Sequence, residues 1–298
     1  MFLFVLIVLI IVALILTMKS ISSSQPSPFF DLPWGLWEVA LIFIVTAWVE
    51  NFTSDIFGTF TGTKSGELGE LISFPVALAS LCIFFFFSLG PQRTITVFGL
   101  NHRLGVLQIL FGIRCTLLYI SGAFILVVGI LGIEGLSQGN LFQKVQQQWE
   151  SWGWLGFFLQ LTAGALAGST LEEFMFRGLI YSTIRGKTHM WPAILITSTL
   201  FMLTHGINKY GIFFIGVFLC LLVEKSHSLL PAISAHVSHN FFVRTLTIPF
   251  VLYDSPSIYS YFLEVGFLGI VGIFLVEIWI RKRRNLPFGW DSIWSVPR

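Results

Sequence analysis

The chain has 298 residues, 55% of them hydrophobic and 11% charged, with a formal net charge of +2. Soluble domains run at about 25% charged residues, so this composition, with a mean hydropathy of +0.84, is that of a membrane protein. Basic residues are scattered or sit beside apolar runs, which argues against a nucleic-acid partner, and no CxxC pair suggests a disulfide framework.

Met1 to Met18 is one apolar run followed, not preceded, by a charge, Lys19. As a helix it is about 27 Å long, close to the hydrocarbon thickness. It reads as an uncleaved first span with its N-terminus outside; cleavage after Ser20-Ile21-Ser22 is the alternative. Further apolar segments follow at 34–50, 71–89, 105–133, 154–183, 191–205, 210–224, 229–252 and 259–280. The expected fold is therefore all-α, a polytopic membrane helical bundle of about nine transmembrane helices. An outside N-terminus puts Lys19, Arg93, Arg103, Arg185, Lys187, Lys225 and the Arg281-Lys282-Arg283-Arg284 cluster on the cytoplasmic side, against Lys64, Lys144 and Lys209 outside. Cys82, Cys115 and Cys220 lie within the spans and read as small buried hydrophobes. Two polar outer stretches, Asn51–Glu70 and Glu134–Gly153, separate spans, and Val145 to Trp154 suggests an interfacial helix.

Ionisable residues inside this apolar background carry the functional reading. Glu172, Glu173 and Arg177 interrupt the 154–183 segment. A carboxylate at mid-bilayer costs roughly 2.5–3.5 kcal/mol on insertion scales, so these groups must face protein or a wet cavity. Gly164, Gly168 and Glu172 are four apart, a stripe along which a neighbouring helix can approach closely. Glu173 and Arg177 are also four apart, acid first, the favourable order for a pair. That pairing leaves Glu172 the freer carboxylate; a purely structural ion-pair staple is the competing explanation. Downstream, His205 ends one span, while His236, His239 and Asn240 lie in another, with His236 and Asn240 on one face. A Glu and a His on different helices suit activation of a water, and a His and an Asn suit an oxyanion. His102, His189 and His227 fall in loops or turns and read as solvated or structural.

Glu172-Glu173-Phe174-Met175-Phe176-Arg177-Gly178 matches the EExxxR motif of the CPBP family, which contains the type II CAAX prenyl endopeptidases, bacteriocin-processing and immunity proteins, and abortive-infection-like proteins. Phe201 to His205 matches its FxxxH motif and His236 to Asn240 its HxxxN motif, in the expected order. The resemblance implies a CAAX-protease-like intramembrane endopeptidase, a hydrolase. Glu172 and His205 would activate water, His236 and Asn240 would stabilise the oxyanion, and Glu173 and Arg177 would support them. It leaves metal-dependent and metal-free chemistry both open. No cofactor follows with certainty, and zinc, if present, would take Glu172, His205 and His236 as its candidate ligands.

The chain accordingly divides into N-terminal spans and outer loops at 1–153, a CPBP-like catalytic core at 154–252, and a last span with a basic cytoplasmic tail at 253–298. The expected partners are a membrane-associated protein or peptide substrate and the lipid bilayer. The expected location is the cell (plasma) membrane, multi-pass, with the C-terminus cytoplasmic. A non-proteolytic immunity or scaffold protein of the same fold, or an ion or proton transporter, is the alternative. Counting inward from the inner side at 1.5 Å per residue puts His236 about 10 Å deep and His205 about 20 Å. The two 15-residue spans around His205 are short for a 30 Å core, which would lower it toward His236.

Overall fold

The computed structural model describes residues 32–61, 67–100, 105–117, 119–120, 161–205 and 210–253, with isolated positions at 158, 275, 278–280 and 282–283. The first expected span, most of the last one and the expected interfacial helix lie outside these residues. Among the described residues there is no strand, and the fold is all-α.

The helices are α1 (Leu36–Thr61), α2 (Glu67–Leu89), α3 (Pro91–Val97) and α4 (Gly105–Leu117). Then comes a composite helix, α5. Its pieces are a π-helical stretch Leu161–Gly168, an α-helical turn Ser169–Glu173, a second π-helical stretch Phe174–Tyr181 and a final α-helical turn Ser182–Arg185. Three helices complete the core: α6 (Met190–His205), α7 (Tyr210–Ser226) and α8 (Leu230–Tyr253). Pro192 and Pro231 sit in the first turns of α6 and α8, where a missing N–H costs no helical bond.

Two helices, Leu36–Phe57 within α1 and Ile72–Leu89 within α2, are long and apolar enough to cross a membrane. They pack on each other and turn large apolar side chains outward, among them Trp37, Trp48, Phe86 and Phe87. Such a surface suits a lipid solvent, since soluble monomers rarely expose contiguous apolar patches of this kind. Cys82 belongs to this outer face, so the expectation that it is buried fails; Cys220 is buried and Cys115 half-buried.

α5 runs through the middle. From Phe174 to Leu179 every residue is buried, the pattern of a helix enclosed on all sides. Its neighbours include α2 and α8 on the first half and α6 and α7 on the second. Gly168 faces the Phe74 ring, which an added Cβ would meet at 3.3 Å, so this member of the glycine stripe does admit α2 closely.

At one end of the bundle the connections are stitched together. Gly99 takes φ +60°, a left-handed conformation that glycine tolerates, directly against the His227 carbonyl. Leu229 N–H donates to Phe98 O at 3.0 Å, and Ser228 Oγ donates to Gly99 O at 2.7 Å. At the end of α5, Arg185 grips Glu224 of α7 at 2.9 and 3.1 Å, and the Tyr181 hydroxyl donates to the same carboxylate at 2.6 Å. The loops that follow α3, α5 and α7 therefore share one end.

Candidate active site

α5 supplies both glutamates from its short α-helical turn, and Arg177 from the wider stretch that follows. Ser182 Oγ donates to the Arg177 carbonyl five residues back, at 2.9 Å, which fits the wide turn. Within it Arg177 still reaches back to Glu173, with Nη1 to Oε1 at 2.8 Å and both side chains fully buried. The expected pairing is present. Arg177 also donates to Gly216 O of α7 at 3.3 Å and lies over the Phe201 ring of α6 at 4.4 Å. Gly216 is close enough to α6 that a Cβ would meet the Ser198 backbone at 3.0 Å, which places its carbonyl within Arg177's reach.

Glu172 stands differently. Its side chain is 27% exposed and faces the two motif histidines. His205 Nε2 lies 3.6 Å from Glu172 Oε1, and His236 Nε2 lies 3.6 Å from Oε2. Both gaps exceed a hydrogen bond and suit groups joined through a water or by a small closure. His205 is oriented by its Nδ1, which lies 2.9 Å from the Phe201 carbonyl. His236 is oriented by Glu173, with Nδ1 to Oε1 at 2.7 Å. The expected depth difference between His205 and His236 thus closes onto one carboxylate. The short α6 and α7, of 16 and 17 residues, act in that direction.

Asn240 Nδ2 donates to Ser169 Oγ at 2.8 Å, one turn before Glu172 on α5. Glu172, Glu173, Arg177, His205 and His236 are therefore linked by approaches of 3.6 Å or less, and Asn240 is tied to α5 one turn before Glu172. His239 turns elsewhere, its ring centroid 6.3 Å from Tyr119. His227 is exposed in the turn before α8, with φ +50°.

Residues 152–242, just under a third of the chain, match the family model described as type II CAAX prenyl endopeptidase Rce1-like. That segment resembles an Rce1-like domain. It holds all three motifs and every residue of the site just described. No curated protein and no solved structure matches the chain. The matched family is one of membrane-embedded proteases, in agreement with the apolar helices around the segment.

Two residues of the Rce1-like site were not singled out from sequence as contributors in their own right. Ser169 anchors Asn240, and its only sequence signal is a small polar residue three before Glu172 within an apolar span. Phe201 meets His205 and His236 edge-on, at centroid distances of 4.7 and 5.8 Å, while bearing Arg177 on its face. It is the first residue of the FxxxH motif, so its identity was legible although its contacts were not.

A zinc ion would draw on the same donors, Glu172, His205 and His236. His205 and His236 address different oxygens of Glu172, and among the described residues no group of three or more His, Cys, Asp and Glu side chains is placed to hold a metal ion.

Proposed function

We propose that the chain is an intramembrane endopeptidase that hydrolyses a peptide bond in a membrane-associated protein or peptide. Glu172 is the general base and His205 its partner in activating water. Asn240, and His236 once it carries a proton on Nε2, stabilise the oxygen on which charge develops. A single observation carries this reading: the partly exposed Glu172 carboxylate is faced by two imidazole Nε2 atoms at 3.6 Å, whereas Glu173 is buried in an ion pair with Arg177. The wider topology belongs to the proposal: about nine spans in the cell membrane, N-terminus outside, C-terminus cytoplasmic.

The test is substrate trapping. Glu172→Gln should fold and melt like the wild type yet hold a membrane-anchored substrate uncleaved, and mapping the bond cut by the wild type would define the substrate class. Near-normal turnover by Glu172→Gln would remove Glu172 from the role of base.

A further inference from the structure

The two adjacent glutamates act on one histidine from opposite sides of its ring. His236 Nδ1 lies 2.7 Å from Glu173 Oε1, where the side chains are 5% and 0% exposed. Glu173 forms its ion pair with Arg177 through the same oxygen, at 2.8 Å. A carboxylate held in an ion pair only accepts, so the hydrogen between it and the imidazole belongs to Nδ1. The neutral ring then carries its lone pair on Nε2, and Nε2 points at Glu172 Oε2, 3.6 Å away. The arrangement is held from several directions. Gly216 O and the Phe201 face fix Arg177, and the Phe201 ring also meets His236 at 87°.

We propose that Glu173 is a positioning residue that sets His236 in its Nδ1–H tautomer, so that Nε2 carries a proton from Glu172 to the leaving amine. The proposal rests on the peptidase reading and deepens it. As the water oxygen bonds to the carbonyl carbon, one water proton passes to Glu172 and the carbonyl pair becomes the oxyanion. The proton moves from Glu172 to His236 Nε2, leaving an imidazolium whose Nδ1–H remains on Glu173. Nε2–H donates first toward the oxyanion and then to the amide nitrogen. As the C–N bond breaks, the oxyanion pair re-forms the carbonyl. The new carboxylic acid gives its proton to Glu172, and from there to solvent. In this sequence His236 has nothing to donate from Nε2 until water has been deprotonated, so its oxyanion role follows from the relay. The glutamate pair therefore divides its labour: Glu172 moves protons and Glu173 orients the group that receives them.

A staple that merely held α5 to α8 would fix the same tautomer, but its loss would leave the kcat of the folded protein unchanged. The full-length protein, labelled with ¹⁵N-histidine in lipid nanodiscs, should show His236 as the Nδ1–H tautomer, its signals identified by their loss in His236→Gln. In Glu173→Leu no acceptor faces Nδ1, and the preference for the Nδ1–H tautomer is lost. Turnover should fall by about 10²–10⁴-fold with KM little changed, the range that a positioned acid–base group contributes. A wild-type Nε2–H tautomer, or a folded Glu173→Leu protein with unchanged tautomer or near-normal kcat, would overturn the proposal. If Glu173→Leu does not fold, the wild-type tautomer still decides whether Nε2 is free to accept the proton. Because the spectra need no substrate, a wild type that cleaves nothing would count against the peptidase reading and leave the tautomer result standing on its own.

Discussion

Asn240, the proposed oxyanion donor, is held by a single hydrogen bond to α5. Its amide donates to Ser169 Oγ at 2.8 Å, which uses one of two N–H groups and aims the other. Loss of a preorganised oxyanion donor costs about 10²–10³ in turnover, so Asn240→Ala should lower kcat by that factor while leaving KM nearly unchanged. Ser169→Ala should give a smaller fall of the same type, since the donor stays but its aim loosens. Steady-state kinetics of the two variants check this, and an effect confined to KM would place Asn240 in substrate binding instead. At this scale the sequence was informative wherever spacing alone defines a contact. The four-residue step from Glu173 to Arg177 predicted their ion pair and, by elimination, the greater freedom of Glu172. What spacing could not supply was the partner of His236. Its bond to Glu173 joins residues 63 positions apart on different helices, and only the packing of α8 against α5 creates it.

The helices show the same division. Hydrophobic runs located α2, α6, α7 and α8 to within a few residues, because an apolar segment of that length has few alternatives in a membrane, whereas α1 continues to Thr61 through residues expected to form a polar outer stretch. The four-residue spacings in the 154–183 segment assume α-helical geometry, and the structure differs: the α-helical turn at Ser169–Glu173 lies between two wider stretches. No residue pattern in Leu161–Gly168 announces a π turn; such turns occur often at functional sites, and this pair brackets both glutamates. The far end of α5 carries its own clamp. Glu224 accepts from the Tyr181 hydroxyl and from the Arg185 guanidinium, with ion-pair side chains 20% and 17% exposed. Glu224→Ala would remove the carboxylate that Tyr181 and Arg185 share and should destabilise the bundle by about 1–3 kcal/mol. The fall should appear in thermal or denaturant unfolding in detergent. Glu224 lies on α7 beyond the site, so the kcat of the folded fraction should hold.

Across the whole molecule, the basic loops expected on the cytoplasmic side are drawn together where the structure describes them. The α3 end, the α5 end and the α7–α8 turn meet through Phe98–Leu229, Gly99–Ser228 and Arg185–Glu224. Arg185 therefore spends its charge within the bundle, although it stays at the expected end. If that end faces the cytoplasm, cysteines placed at Ser23 and Ser292, in a chain whose Cys82, Cys115 and Cys220 are replaced, should both react only with cytoplasmic reagent. Labelling of position 292 from outside would reverse the orientation, and labelling of position 23 from outside would displace the first span.

The central claim is that water activated by Glu172 cuts a peptide bond in this Rce1-like domain. It is tested most directly by the oxygen in the product. The full-length protein in nanodiscs, given a membrane-anchored peptide in H₂¹⁸O, should release a fragment whose new C-terminal carboxylate carries one ¹⁸O by mass spectrometry, and Glu172→Gln should release none. Absence of a labelled fragment from the wild type, or equal labelled product from Glu172→Gln, would contradict the account.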